Sequence, residues 1–142
     1  MSKLVEKTSI SYAAAQAMVD AAMEKARSLG CAQCVAVVDN AGHMLAMGRM
    51  DDAPVMGIEG CQRKAKTGLL GVGSAEFFEA IKHHDGTVHG LSHLPGSIMV
   101  PGGLPIRVEG QVVGGIGASG GLPEEDVACA QAGLEAVFGD GG

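Results

Sequence analysis

The sequence has no tryptophan, one tyrosine and three phenylalanines among 142 residues. Ala, Val, Leu, Ile and Met must therefore fill the core. Charge is also scarce, with ten Lys and Arg against sixteen Asp and Glu and a formal net charge of -6. The only dense basic cluster, Arg63, Lys64 and Lys66, is short. Nothing is present to neutralise a run of phosphates, and no nucleic-acid partner is expected. No apolar run reaches the ~18 residues that span a bilayer, and Ser2, Lys3, Leu4, Val5 and Glu6 form no secretory apolar stretch. The expectation is a cytoplasmic protein with no membrane partner.

Four cysteines include one C-x-x-C pair, Cys31 and Cys34, with no second pair of that spacing. Zinc would need two more ligands from elsewhere, and a thioredoxin-like motif opens a helix, whereas an apolar strand follows this pair. The thiols are expected to be buried or incidental. By contrast, glycine is abundant, 23 residues without a G-x-y period or a proline excess. That excludes collagen and implies tight turns and close backbone approaches. The length suits one domain, residues 1–142. Low charge with positive mean hydropathy points to apolar surface covered by a second copy, so self-association as a dimer or higher oligomer is expected.

Hydrophobic periodicity predicts a helix capped by Thr8 or Ser9, running to about Ser28 and stopped by Gly30. Residues 33–39 read as a strand, Asn40-Ala41-Gly42 as a turn, and His43 to Met50 as the returning strand. Asp51 and Asp52 before Pro54 predict a capped helix continuing through Leu69, and Ser74 opens a short helix to residue 82. Residues 83–97 read as a long loop, and Ile98–Val100 as a short strand. After a bend at 101–105, Ile106–Val108 and Val112–Ala118 form a hairpin. Pro123 begins the last helix, with a frayed tail expected over 139–142. Hairpins with short turns and flanking helices make the fold class α+β, with a central antiparallel sheet.

Three groups carry chemistry. Asp39, Arg49, Asp51 and Lys64 are expected to converge at one rim of the sheet, where Arg49 would anchor a small anionic ligand; structurally, Asp39 would instead satisfy turn amides and Arg49 would pair with Asp51. His83, His84, His89 and His93 fall within eleven residues and suit a metal, a haem iron or a general base. Gly102 and Gly103, with Ser119 and Gly120 in the second glycine-rich run, offer backbone amides to a carboxylate or serve close packing.

The segments Val37 to His43, Arg49 to Ala53, Arg63 to Thr67, Gly102 to Ile106, Glu109 to Gly114 and Gly117 to Gly121, closed by Asp126 and Ala132-Gly133-Leu134, resemble the GlcG/HbpS-like family. That family is also found as the C-terminal domain of PduO-type proteins and is often called haem-binding or haem-degrading. The resemblance covers nearly the whole chain in order. It implies a profilin-like fold, assembly as dimers, rings or octamers, and haem or a related tetrapyrrole as ligand. Haem-binding relatives can use a histidine in the first helix. Here Tyr12, Gln16 and Met18 stand in that helix, and no histidine lies between Ser9 and Ser28.

Two functional expectations follow. In the first, an oligomer binds haem or a related tetrapyrrole through Arg49, His89, His93, Gly102, Gly103, Ser119 and Gly120. In the second, which needs no cofactor, an isomerase, tautomerase or lyase of a catabolic pathway acts on a small carboxylic acid, with His83, His84, His89, Arg49 and Lys64 as catalytic residues.

Overall fold

The computed structural model describes residues 1–139. Most of the tail expected to fray, residues 140–142, lies outside the described residues. No described helix is long and apolar enough to cross a membrane. Helix α1 spans Tyr12–Leu29 and ends on Gly30 in the left-handed region, φ 74°. Its cap is Ser11, whose hydroxyl accepts from the Ala14 amide at 3.2 Å. The expected caps, Thr8 and Ser9, fall two or three residues too early, because the Ile10 amide donates to Val113 O at 3.0 Å and keeps that segment extended. Ser9 is occupied there, accepting from the Asn40 amide at 3.1 Å.

Four antiparallel strands follow in the spatial order β2-β1-β4-β3: β1 Cys34–Asp39, β2 Met44–Arg49, β3 Gly103–Val108 and β4 Gln111–Ser119. With five helices they make the α+β class expected. Asp39 Oδ1 accepts from the amides of Ala41 at 2.9 Å and His43 at 3.0 Å, which shapes the β1–β2 turn. Glu109 and Gly110 join β3 to β4 with φ 51° and 80°, the two positive values a tight twisted hairpin demands. β3 begins three residues before the expected Ile106 and includes Pro105, which an edge strand tolerates.

One face of the sheet carries α1 and α5 (Pro123–Phe138) over Val35, Val37, Ile106 and Ile116. The other carries α2, Met56–Thr67, followed by a 3-10 turn to Leu70. Val55 stands at the α2 N-cap without a side-chain bond; the expected aspartate cap is displaced because Ala53 N bonds Met50 O, closing a separate turn. α2 lies almost in backbone contact with the sheet. A Cβ built on Gly117, Gly115 or Gly103 would overlap the carbonyl oxygen of Cys61, Ala65 or Lys64. From the helix side, a Cβ on Gly57 would stand 2.9 Å from Ser119 O.

Two expectations beyond α3 (Ser74–Ile81) change. The stretch read as a loop contains a helix, α4, Asp85–Leu91. Ile98–Val100 is not a strand, because side chains take its backbone bonds: the Ile98 amide donates to Thr67 Oγ1 at 2.9 Å, and Ser74 Oγ donates to Val100 O.

The glycine contact makes a sharp contrast. Gly117→Ala should destabilise by about 3 kcal/mol and lower Tm by roughly 10 °C. Gly86→Ala, which meets nothing within 4 Å, should raise Tm slightly. Thermal unfolding of both variants checks this; equal melting of Gly117→Ala and wild type would remove the close approach as a constraint.

Candidate functional site

Beneath α2, Lys64 turns into the protein rather than towards a ligand. Its Nζ lies 2.7 Å from Asp126 Oδ2 and 3.0 Å from Ala118 O, with only 3% of the side chain exposed. Asp126 Oδ1 accepts from Gln33 Nε2 at 2.8 Å and from the Gly121 amide at 2.9 Å. Among the described residues, Gln33 Oε1 is the one buried side-chain polar atom without a hydrogen-bond partner. The glycine-rich segment therefore does bind a carboxylate, but that carboxylate is the chain's own Asp126. Gly102 and Gly103 are buried too, and the Gly103 amide donates to Ser74 Oγ at 3.0 Å. Ser119 and Gly120 are half-buried at the end of β4 beside α2 and the Ala32–Gln33 backbone.

The expected rim does not form. β1 and β2 are antiparallel with Arg49 opposite Cys34, which puts Asp39 and Arg49 at opposite ends of the hairpin, ~17 Å apart for five residues of strand. Asp39 follows its structural reading. Burial pulls its carboxyl upward, but the amide bonds from His43 and Ala41, with the other polar neighbours, outweigh that and hold it below its usual range. Arg49 lines an open cleft of about 340 Å³ with Met23, Arg27, Ala32, Met50, Asp51 and Asp52. No histidine lines it. His83 and His84 are exposed between α3 and α4, with His84 at the α4 N-cap. His89 and His93 are exposed on α4 and the turn after it, and their rings meet edge to face at 5.1 Å. The structure thus separates Arg49, Lys64 and the histidines instead of gathering them.

A different residue lies at the more apolar site. Arg63, on α2, borders a cleft of about 360 Å³ lined by Phe78, Val88, Leu91, Ile98, Met99 and Val100, with Ser92 and Ser97. A neighbouring hollow of about 340 Å³ shares Arg63 and Ile98 and extends past Met56, Glu59 and Gly60. Together they form an elongated groove on the outer side of α2. Arg63 Nε donates to Glu59 at 2.9 Å, which steadies the guanidinium at the rim. In the sequence, Arg63 stands out only as part of a basic cluster and of the family segment Arg63 to Thr67, with no sign of a site. The groove walls come from α2, α3, α4 and 97–100, and no local pattern announces that convergence.

The cysteines are free among the described residues. Burial pushes the Cys61 and Cys129 thiols up to about 12 and raises Cys34 as well. Cys31 alone is half-buried. No group of three or more potential metal ligands occurs among the described residues.

A sheet of this order, backed by helices on both faces, defines a small α+β domain. The family model described as "Haem degrading protein HbpS-like" matches residues 10–135. The chain belongs to the HbpS-like family. It is 33% identical over 113 residues to Protein GlcG of Escherichia coli K12, covering 80% of this chain and 83% of that one. The Klebsiella pneumoniae protein ORFY superposes with a TM-score of 0.89 at 34% identity, covering 96% of each chain. A solved PduOC:haem complex superposes with a TM-score of 0.83 at 30% identity, covering 92% of this chain and 96% of that one.

Removing one member of the buried pair should be costly. Asp126→Ala is expected to lose about 3–5 kcal/mol in urea unfolding, whereas Lys64→Met with Asp126→Leu regains most of it. A double variant no more stable than Asp126→Ala would contradict that account. In the native protein at pH 8, a thiol reagent should label Cys31 first, with Cys61 and Cys129 modified only on unfolding; mass spectrometry of the labelled peptides checks the order.

Proposed function

We propose that the protein binds haem or a closely related tetrapyrrole in the Arg63 groove, acting as a homo-oligomer. The observation that carries this reading is the pairing of long apolar walls with a single steadied arginine at the rim. A macrocycle needs apolar surface on both faces and a cation for its carboxylates, and Phe78, Val88, Leu91, Ile98 and Met99 with Arg63 supply that combination. Each hollow falls within the ~300–1,000 Å³ of small-ligand pockets. Membership of a family described as haem-degrading, and the haem complex of the PduO domain, support the same ligand.

The residues fit the macrocycle and its carboxylates better than they fit a histidine-ligated iron. Met99 and Met56 are the lining side chains with a soft donor atom, and no histidine lines either hollow. In α1, Met18 is fully buried and Tyr12 is exposed, so the first helix presents no imidazole. Haem, when bound, supplies a redox-active iron; this chain's residues hold and orient its ring. The alternative enzyme on a small carboxylic acid needs Arg49 and a histidine in one cavity, and Arg49's cleft lacks the base.

Self-association is supported by large apolar side chains left exposed, including Val55, Met56, Leu122 and Val100 at 77%, 82%, 59% and 42%. Copies packing over the groove mouth would also supply the second wall a macrocycle requires.

Titration with haem should give a Soret band saturating near one equivalent per site. Arg63→Ala should weaken binding by about 10–100-fold, as expected for a lost charge-assisted bond, while Arg49→Ala should leave it within about two-fold. Absence of a Soret band at stoichiometric concentration overturns the reading. Native mass spectrometry of protein purified without added ligand tests the assembly, and a monomer would overturn the oligomer.

A further inference from the structure

α4 is seven residues long, contains Gly86 and Gly90, and has no buried residue. Neither propensity nor packing accounts well for its order. Its last turn continues beyond Leu91, since the His93 amide donates to Gly90 O and Ser92 Oγ donates to Val88 O at 2.8 Å. His89 and His93 therefore occupy consecutive turns of one face, four residues apart, both open to solvent. On the neighbouring face, Val88, Leu91 and Ser92 line the Arg63 groove.

Two imidazoles at this spacing are a chelating unit when their nitrogens reach a common point. A metal ion bound in the plane of a ring at ~2.1 Å from nitrogen stands ~3.2 Å from the ring centre. Ring centres 5.1 Å apart then subtend roughly 105° at the ion, close to a tetrahedral angle. Rotation about χ2, a broad torsion in histidine, reorients the nitrogens of each ring while leaving its centre nearly in place. Imidazole suits copper, nickel and zinc, and the remaining positions would be filled by water because no third ligand joins the pair among the described residues.

We propose that His89 and His93 form a surface chelate for a divalent transition-metal ion of the copper, nickel or zinc class, and that the bound ion orders α4. The ion closes an i, i+4 loop across the C-terminal end of α4 and thereby stiffens one wall of the groove. Binding at the pair does not depend on what the groove holds.

The test uses the haem-free native assembly carrying Cys31→Ser, which removes the accessible thiol as a competing ligand. Isothermal titration with Ni²⁺ at pH 7.5 should give about one ion per chain. Affinity should fall at least ~10-fold in His89→Gln and again in His93→Gln, because each leaves a single imidazole. His83→Gln with His84→Gln should keep it within about two-fold. Amide exchange over residues 86–93 should slow when Ni²⁺ is added to the parent protein and not in His89→Gln. Native mass spectrometry confirms that each variant keeps the parent assembly, and the Gln side chain preserves helix-forming character. Unchanged affinity in either single variant, an equal loss in the His83/His84 variant, or binding without slowed exchange overturns the proposal. Haem never enters the experiment, so its outcome is separate from that of the groove reading.

Discussion

The approach of α2 to the sheet is the constraint on which the other features depend. Gly103, Gly115 and Gly117 strip one face of β3 and β4 so that the carbonyls of Cys61, Lys64 and Ala65 sit where Cβ atoms would otherwise be. Glycine in strands costs backbone entropy, and here that cost is offset by continuous van der Waals contact between helix and sheet. The low aromatic content belongs to the same solution, since a single large ring at this interface would hold the two layers apart.

Close packing decides where the charges of α2 go. Lys64, facing the sheet, has no route to solvent and must find its partner inside, which it does in Asp126 at the start of α5. Gln33, Gly121 and Ala118 take up the remaining bonds and tie α2, β4 and α5 together. One residue earlier, Arg63 faces outward and borders the groove. Adjacent cations on one helix thus face different ways, one locking the layers and one bordering the groove.

The groove has a firm floor and a soft wall. α2 is bound tightly to the sheet, whereas α4 has no fully buried residue and only Val88 and Leu91 half-buried. Ligand-binding surfaces are commonly drawn from such low-stability elements, which adjust their position at little cost. A device that orders α4 would act on the groove directly, because neighbouring faces of the same short helix carry the exposed histidines and the apolar lining.

Local chemistry accounts for what the sequence by itself determined. Period-two and period-3.6 patterns located β1, β2, β4 and most of α1, α2, α3 and α5; Gly30 and the Glu109-Gly110 turn marked their ends; and runs such as Val37 to His43 identified the family. Each of these signals lies within a few residues of chain. Tertiary structure alone decided that Lys64 is buried with Asp126, 62 residues away, that Arg49 lies at the far end of the hairpin from Asp39, and that Arg63 shares a cleft with Phe78, Val88 and Met99. α4 escaped the sequence reading because its glycines weaken propensity and its short apolar face leaves no periodic stripe. Burial, pairing and shared cavities come from segments distant in sequence, and a one-dimensional pattern carries no measure of that distance.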